Sequence, residues 1–153
     1  MSSLKSISVF VPLFLMGANS FAQMPNDATT WKYEVKKKSA TEYQLIFHLK
    51  LDKGWFIWAL KPGGDGTLVA PAFTFDKNEK VKMKGAVIEK GKKTEKKLDG
   101  ISGISAYYTG TVDYVQNITV SGKTKITGKH EYQVCNYRYA IPPIYKDFVF
   151  EIK

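Results

Sequence analysis

Cys135 is the only cysteine in the chain, and its thiol is the side chain best suited to covalent chemistry. It lies in the segment EYQVCNYRYAIPP, between Glu131 and the pair Pro142 and Pro143. A thiolate attacks disulfides and forms mixed disulfides, so a single thiol fits a reactive group, a bond between two chains or a buried side chain that only packs. Arg138, in the loop that follows, would lower the pKa of this thiol if the loop folds back onto it.

The other groups capable of chemistry form no such pattern. His48 and His130 are the only histidines, and neither has a histidine or cysteine at the spacing of metal ligands. His130 and Cys135 are an odd number of residues apart, so a continuous strand would place them on opposite faces. The segment GKT at residues 122–124 lacks the first glycine of a phosphate-binding loop. We therefore expect no metal and no cofactor.

Residues 1–22 have the features of a secretory signal peptide. Lys5 gives a positive start, the apolar run ISVFVPLFLMGA follows, and the small residues Ser20 and Ala22 lie where a signal peptidase cleaves. The apolar run is shorter than the roughly 18 residues that cross a bilayer. The sequence predicts cleavage near Ala22 and a periplasmic or secreted protein with one domain over residues 23–153.

The formal net charge is +9, and lysine supplies most of it. Nine lysines lie between Lys77 and Lys97. Such a segment fits either contact with an anionic surface or an edge strand whose lysines prevent sheet pairing, and we favour the edge strand. Arg138 is the only arginine, whereas nucleic-acid sites favour arginine forks, so the composition argues against a nucleic-acid partner.

Apolar and polar residues alternate along most of the chain, which is the period of β-strands. In YQLIFHLKL, one face carries only apolar side chains, namely Tyr43, Leu45, Phe47 and Leu49. Seven to nine short strands, separated by turns rich in glycine, proline and asparagine, predict an all-β antiparallel β-sandwich. The stretch EKKLDGISGI, from Glu95 to Ile104, is the one that could form a helical turn or two.

Large aromatic residues are concentrated in the segment Trp55–Trp58 and around Cys135. Because alternate residues of a strand point to opposite faces, WFIW predicts either a strand covered on both faces or an aromatic side chain exposed at a partner-binding patch. Tyr114 and Tyr132 are expected in the core. For Tyr137 and Tyr139, core filling and partner recognition are equally supported.

Several segments, taken in order, resemble a known family. They are GWFIWALKPGGDGTLVAPAFTF, GTVDYVQNITV, GKHEYQVCNYRYAIPP and a last strand KDFVFEI. This order resembles the N-terminal periplasmic domain of the thiol:disulfide interchange protein DsbD, over nearly all of residues 23–153. The resemblance implies an immunoglobulin-like sandwich that passes reducing equivalents to oxidised partners in the envelope. It also implies an electron carrier in the membrane, which we expect on a separate polypeptide because the sequence ends at Lys153.

The chain departs from the pattern of this family at the second cysteine. Cys135 matches the first cysteine, whereas the second would fall at Ala140, and Phe56 stands where the family often has histidine. With one thiol, the domain could form a mixed disulfide but could neither resolve it nor store two electrons as an internal disulfide. We therefore expect that the protein-disulfide reductase activity implied by the family does not run on this domain alone.

Three interpretations of Cys135 stay open: a buried remnant that packs as a small hydrophobe, a one-thiol site for mixed disulfides, or a link between two chains. The residues proposed to bind envelope thiol-redox or assembly proteins are Asn136, Tyr137, Arg138, Tyr139, Pro142, Pro143, Trp55 and Trp58. The alternative function is a non-redox binding protein that uses the same loop, the Trp55–Trp58 strand and the lysine-rich face of the same scaffold.

Overall fold

The computed structural model describes residues 26–153, so the predicted signal peptide and its cleavage site lie outside the described residues. This part of the chain contains nine strands and no helix. The strands are β1 (Thr29–Lys37), β2 (Glu42–Leu51), β3 (Phe56–Gly63), β4 (Ala72–Phe75), β5 (Val81–Lys97), β6 (Ile104–Val120), β7 (Thr124–Tyr132), β8 (Val134–Cys135) and β9 (Ile144–Ile152).

These strands form two sheets in which every pairing is antiparallel. The larger sheet pairs in the order β1-β2-β6-β3-β8, with β5 on the other edge of β6, and the smaller sheet pairs in the order β4-β7-β9. The predicted fold class, an all-β, immunoglobulin-like antiparallel sandwich, is therefore confirmed.

β5 and β6 are not the short strands that the sequence predicts, since each has 17 residues. β6 changes its neighbour at Gly110, with β3 pairing before this residue and β2 after it. Gly110 has a φ of +71°, which glycine adopts without the strain that a Cβ would cause. One continuous strand thereby carries part of the main core and part of the surface on which Cys135 lies.

The predicted helical turn between Glu95 and Ile104 is wrong. β5 continues to Lys97, a turn occupies residues 98–103, and β6 begins at Ile104. Residues 93–97 pair with residues 104–108 of β6. This ladder of backbone hydrogen bonds holds extended a run of lysine and glutamate that local propensity favours as helix.

The lysine-rich segment forms an edge strand, as favoured from the sequence. Among the described strands, β5 pairs only with β6, and most of its side chains are exposed. Lysine on such an edge discourages pairing with another sheet. Contact with an anionic surface stays an untested expectation for this strand.

The main core lies between the two sheets. The apolar face predicted for β2 is buried there, and Tyr114 and Tyr132 are also fully buried, as predicted. Aromatic rings from both sheets meet around Phe47, whose centroid lies 4.7 Å from that of Phe73 and 4.9 Å from that of Phe148. This packing fixes the two sheets against each other.

β3 is covered on both faces, which settles the choice left open for Trp55–Trp58. Ile57 and Ala59 are buried in the main core. Phe56 and Trp58 alternate with them along β3, point to the outer face of the larger sheet and belong to a second buried group. We call this group the outer cluster; it consists of Phe56, Trp58, Tyr107 and Cys135.

Candidate functional site

Cys135 reaches the larger sheet because the chain changes sheets just before it. β7 ends at Tyr132 in the smaller sheet, and β8 then pairs with β3, with Cys135 opposite Phe56. Gln133 lies at the crossing and donates a hydrogen bond from Nε2 to the carbonyl oxygen of Ile141 at 3.0 Å. This bond ties the two arms of the Cys135 hairpin together where they leave the smaller sheet.

His130 is not a neighbour of Cys135. It lies in β7 of the smaller sheet and is fully buried in the main core, where its Nε2 is 2.9 Å from the hydroxyl of Tyr33. The sequence predicted that the two residues are apart, and they are, but the strand is not continuous because β7 ends at Tyr132. The two side chains belong to different sheets and do not form a nucleophile pair.

The hairpin that follows Cys135 places Ala140 directly opposite it in an antiparallel bridge. The flanking hydrogen bonds run from the Asn136 amide to the Tyr139 carbonyl at 2.9 Å and from the Ile141 amide to the carbonyl before Cys135 at 3.1 Å. Cys135 and Ala140 are therefore a non-hydrogen-bonded cross-strand pair, whose Cα atoms lie about 4.5 Å apart in antiparallel sheets. The position where the family pattern has its second cysteine is within disulfide distance of the first.

The turn of this hairpin is held by Asn136. Its Oδ1 accepts hydrogen bonds from the backbone amides of Arg138, at 2.8 Å, and Tyr139, at 2.9 Å. Asparagine favours such turns because its side chain bonds the backbone two or three residues further on. The arrangement leaves Tyr137 as the most exposed ring of the turn, with 72% of its surface accessible.

The Cys135 thiol is buried, with 6% of the residue exposed. Burial raises its pKa to about 11, and a hydrogen bond from the Trp58 indole opposes this only in part. Reactive cysteines usually have a lowered pKa and an accessible sulfur. In the conformation described, Cys135 has the properties of a protected thiol.

The sequence suggested that Arg138 lowers the pKa of this thiol if the loop folds back. The loop does not bring the guanidinium to the thiol, and Arg138 is not among the groups that shift its pKa. Its side chain is exposed at the tip of the hairpin, and only its backbone is held by Asn136. The charge is therefore directed to the surface, where it is available to a partner.

An open groove of about 530 Å³ lies beside Cys135 on the outer face of the larger sheet. The outer cluster supplies its floor, and two segments form its walls: residues 96–101 at the junction of β5 and β6, and residues 136–140 of the hairpin. The lining residues are Phe56, Trp58, Lys96, Lys97, Leu98, Asp99, Ile101, Cys135, Asn136, Tyr137, Arg138, Tyr139 and Ala140.

The structure brings together some of the site residues predicted from the sequence and leaves others apart. The groove contains Cys135 with the predicted residues Asn136, Tyr137, Arg138, Tyr139 and Trp58. Pro142 and Pro143 are exposed but do not line the groove. Trp55 packs against the main core, and its ring centroid lies 5.6 Å from that of Tyr139. It therefore contacts the hairpin without lining the groove.

Sequence reasoning missed the wall formed by residues 96–101. Leu98 and Ile101 pack against the outer cluster, and the Ile101 amide donates a hydrogen bond to the Leu98 carbonyl at 3.2 Å. The signal that could have found them is the isolated leucine and isoleucine that follow the lysine-rich strand β5 in the turn before β6. Their position next to the cluster that contains Cys135 depends on the register of β5 against β6.

His48 takes part in a surface network across three strands. Its Nδ1 lies 2.8 Å from an oxygen of Asp113 and its Nε2 lies 2.9 Å from an oxygen of Glu34. Both ring nitrogens are thereby occupied.

Over residues 26–153 there is no group of three or more His, Cys, Asp or Glu side chains arranged to hold a metal ion. Nor does this part of the chain include a helix with the length and hydropathy that a membrane crossing requires.

The solved structures that are similar to this chain include two N-terminal periplasmic or redox-family domains. The N-terminal periplasmic domain of ScsB from Proteus mirabilis has a TM-score of 0.59 and 18% sequence identity, with 84% of this chain and 48% of that one covered. The N-terminal domain of DsbD from Neisseria meningitidis, in the reduced form, has a TM-score of 0.49 and 14% identity, with 79% and 84% covered. The chain spans about half the length of the ScsB chain, and the likeness to it concerns the fold.

The sequence itself provides the assignment to a family. No curated protein sequence matches this chain. A family profile, described as thiol:disulfide interchange protein DsbD, N-terminal, matches residues 22–151, which include β1 to β8, the Cys135 hairpin and all but the last residue of β9. The chain belongs to the family of the N-terminal domain of the thiol:disulfide interchange protein DsbD.

Proposed function

We propose that this chain is an exported docking domain for thiol:disulfide interchange in the envelope, and that it binds thiol-redox or assembly partners at the groove beside Cys135. On this proposal it does not catalyse disulfide reduction by itself. Membership of the family supports the kind of chemistry. The aromatic and basic lining of the groove supports the place where partners bind.

The pairing of Cys135 with Ala140 is the observation that carries the proposal. In a two-cysteine exchange, a thiolate breaks the disulfide of the partner, forms a mixed disulfide with one sulfur and releases the other as a thiolate. A second thiol then attacks the mixed disulfide, so the partner is reduced and the domain is oxidised to a disulfide. Ala140 occupies the position from which that second attack would come, and it has no sulfur.

The state of the thiol supports the same conclusion. With the pKa of Cys135 at about 11, roughly one thiol in ten thousand is ionised at pH 7. Cys135 also belongs to the outer cluster, against which Leu98 and Ile101 of one wall pack, and 6% of the residue is exposed. These two properties favour the buried remnant over a link between two chains, because a partner thiol could approach only after the walls move.

A turnover assay tests the catalytic part of the proposal. The purified protein is mixed with a disulfide-bonded test protein and a dithiol electron donor, and the reduced product is counted per chain. We expect at most one mixed disulfide per chain and no repeated turnover above the Cys135→Ala control. Repeated turnover that depends on Cys135 would show that the domain completes the exchange without a second cysteine of its own.

A capture experiment tests the docking part. Wild type and Cys135→Ala are each used to bind proteins from an envelope fraction, with and without reductant. A docking domain retains the same partners with both proteins in reductant, because the contacts are non-covalent. Partners that bind only to wild type and leave on reduction would instead support the one-thiol interpretation.

That second candidate, a one-thiol site for mixed disulfides, is favoured by one observation. Cys135 lines an open groove, so the exposed part of the residue faces the space that a partner would enter. Labelling of the Cys135 thiol with a thiol reagent, under native conditions and over a range of pH, separates the two candidates. Fast reaction with a low apparent pKa supports the one-thiol site, whereas protection close to that of the folded core supports the docking domain.

A further inference from the structure

The floor of the groove is apolar and its two walls are basic. Phe56 and Trp58 form the floor, with ring centroids 5.1 Å apart. Lys96 and Lys97 stand on the wall at the end of β5, and Arg138 stands on the hairpin. The lining contains a single acidic residue, Asp99, so cationic groups outnumber anionic ones on the rim.

These three cations are available to a ligand. Lys96, Lys97 and Arg138 are exposed, and in the described part of the chain none of them forms an ion pair with a carboxylate. Other surface lysines do find partners, for example Lys125 with Glu151 at 3.2 Å. The charge of the groove is therefore not neutralised within the domain.

The dimensions of the groove fit one extended chain. Its walls stand on β5 and on the β8 hairpin, and β6 and β3 lie between them. Neighbouring strands are about 4.8 Å apart, so the walls are separated by roughly 14 Å, which leaves room for a single extended segment with its side chains. Tyr137 and Tyr139 flank the arginine on the hairpin, and tyrosine with arginine is the side-chain combination enriched in protein-binding surfaces.

We propose that this groove binds an extended acidic segment of a partner protein, with an apolar residue of that segment on the aromatic floor and carboxylates against Lys96, Lys97 and Arg138. The inference rests on the proposed function, because it names the kind of partner surface that the docking domain takes. The excess of lysine over acidic residues in the domain steers such a segment toward it. A flat anionic bilayer fits less well, since it reaches the rim of the groove but not its recessed floor.

Calorimetric titration of the purified protein with two blocked nonapeptides tests the proposal. One peptide has a central leucine with glutamates on both sides, and the other has lysines in place of the glutamates. We expect the glutamate peptide to bind at least about tenfold more tightly, and we expect its affinity to fall as salt screens the exposed charges. Equal affinity for the two peptides would overturn the proposal.

Charge reversal locates the binding. Lys96→Glu with Lys97→Glu should invert the preference, so that the lysine peptide binds better, a gain that an unfolded protein could not show. Lys82→Glu with Lys90→Glu makes the same change in net charge on the same strand outside the groove, and it should leave the preference within about twofold of wild type. A similar effect of both pairs would overturn the proposal, because binding would then depend on total charge alone.

Two further measurements separate this inference from the proposed function. Vesicles of phosphatidylglycerol are titrated in parallel, and tighter binding of vesicles than of the glutamate peptide would replace the acidic peptide with a membrane surface. The Lys96→Glu, Lys97→Glu protein is also used in the envelope capture. Retention of the same partners by this protein would overturn the acidic-segment inference while leaving the docking function in place.

Discussion

The main core and the outer cluster are both aromatic and both nearly closed to solvent, but they are closed in different ways. The main core lies between two sheets, and side chains such as Phe47 have no accessible surface. The outer cluster lies on the outer face of one sheet, beneath the turn at residues 98–103 and the hairpin at residues 136–140. Loops therefore cover Cys135, whereas strands cover Phe47.

This difference has a consequence for function. Opening the main core requires the two sheets to separate, which is global unfolding, whereas loops open locally at a much smaller free-energy cost. A buried group in the main core is therefore structural, and a buried group in the outer cluster can be reached by a partner that moves the walls. His130 in the main core and Cys135 in the outer cluster illustrate this difference, because both are buried and uncharged at neutral pH.

The largest difference between the two regions should appear in their stability to truncation. Phe47→Ala should lower the free energy of unfolding by about 4 kcal/mol, because the space between two rigid sheets cannot collapse. Phe56→Ala should lower it by about 2 kcal/mol, since the flexible walls can fill part of the space that the ring leaves. Denaturant unfolding of the two variants and wild type measures both values. Equal losses would show that the outer cluster is as rigid as the main core.

The pH dependence of stability sharpens the comparison through His130. Burial, helped by the nearby charge of Lys146 and opposed by that of Asp27, lowers the pKa of His130 to about 4 from 6.5. Since the unfolded chain then binds more protons between these values, the free energy of unfolding should fall by about 3 kcal/mol as the pH drops from 6.5 to 4. Cys135 should contribute nothing in this range, because its thiol stays protonated in both states.

The control for this prediction is His130→Phe, which should remove most of the acid-induced loss. His48 acts in the opposite direction: partial burial lowers its pKa, but hydrogen bonds to Glu34 and Asp113 outweigh burial and raise it. Its contribution is present below the unfolded pKa and is lost as the pH rises through the folded pKa. His48→Gln should therefore change the alkaline side of the profile. An unchanged acid limb in His130→Phe would contradict the assignment.

Restoring a sulfur opposite Cys135 should change the outer cluster from a protected site to a redox site. Ala140→Cys places two thiols in a non-hydrogen-bonded cross-strand pair, where the Cα separation suits a disulfide. Oxidation should raise the free energy of unfolding by about 2 kcal/mol for so short a loop. The turnover assay should then show repeated reduction, with Ala140→Ser as the control that lacks it. Failure of the two thiols to form a disulfide would show that the hairpin does not hold them in register.

The difference between the main core and the outer cluster also decides which features could be predicted from the sequence. Alternation identified the buried face of β2 because β2 pairs with β1 and β6 without a register shift, so alternate side chains point to the main core along its whole length. It also indicated that WFIW needs cover on two faces or a partner. Cys135 and the hairpin residues up to Tyr139 are contiguous in sequence, so their proximity followed from the motif alone.

The wall at residues 96–101 could not be predicted in this way. Its approach to Cys135 depends on the continuation of β5 to Lys97, where a lysine-rich pattern has no apolar period to reveal a strand. It also depends on the change of neighbour of β6 at Gly110, where pairing with β3 gives way to pairing with β2. The break between His130 and Cys135 was missed for a similar reason, because spacing along the chain does not show where a strand leaves its sheet.

The smallest expected effect tests directly whether the outer cluster opens by itself. Leu98 packs against this cluster from the turn at residues 98–103, so Leu98→Ser should weaken one wall of the groove without disturbing the main core. We expect native labelling of Cys135 by a thiol reagent to become about tenfold faster, which corresponds to about 1.4 kcal/mol less protection. Ile104→Ser, a change at a residue of the same hairpin that is 65% exposed, should leave the rate unchanged.

Denaturant unfolding of the same variants decides how that rate is interpreted. If opening is local, Leu98→Ser accelerates labelling by more than its loss of global stability accounts for, because the walls move while the two sheets stay packed. If instead the labelling rates of wild type and Leu98→Ser differ only as their free energies of unfolding differ, Cys135 is reached only when the whole sandwich unfolds. The outer cluster would then be closed in the same sense as the main core, and no partner could reach the thiol in the folded domain.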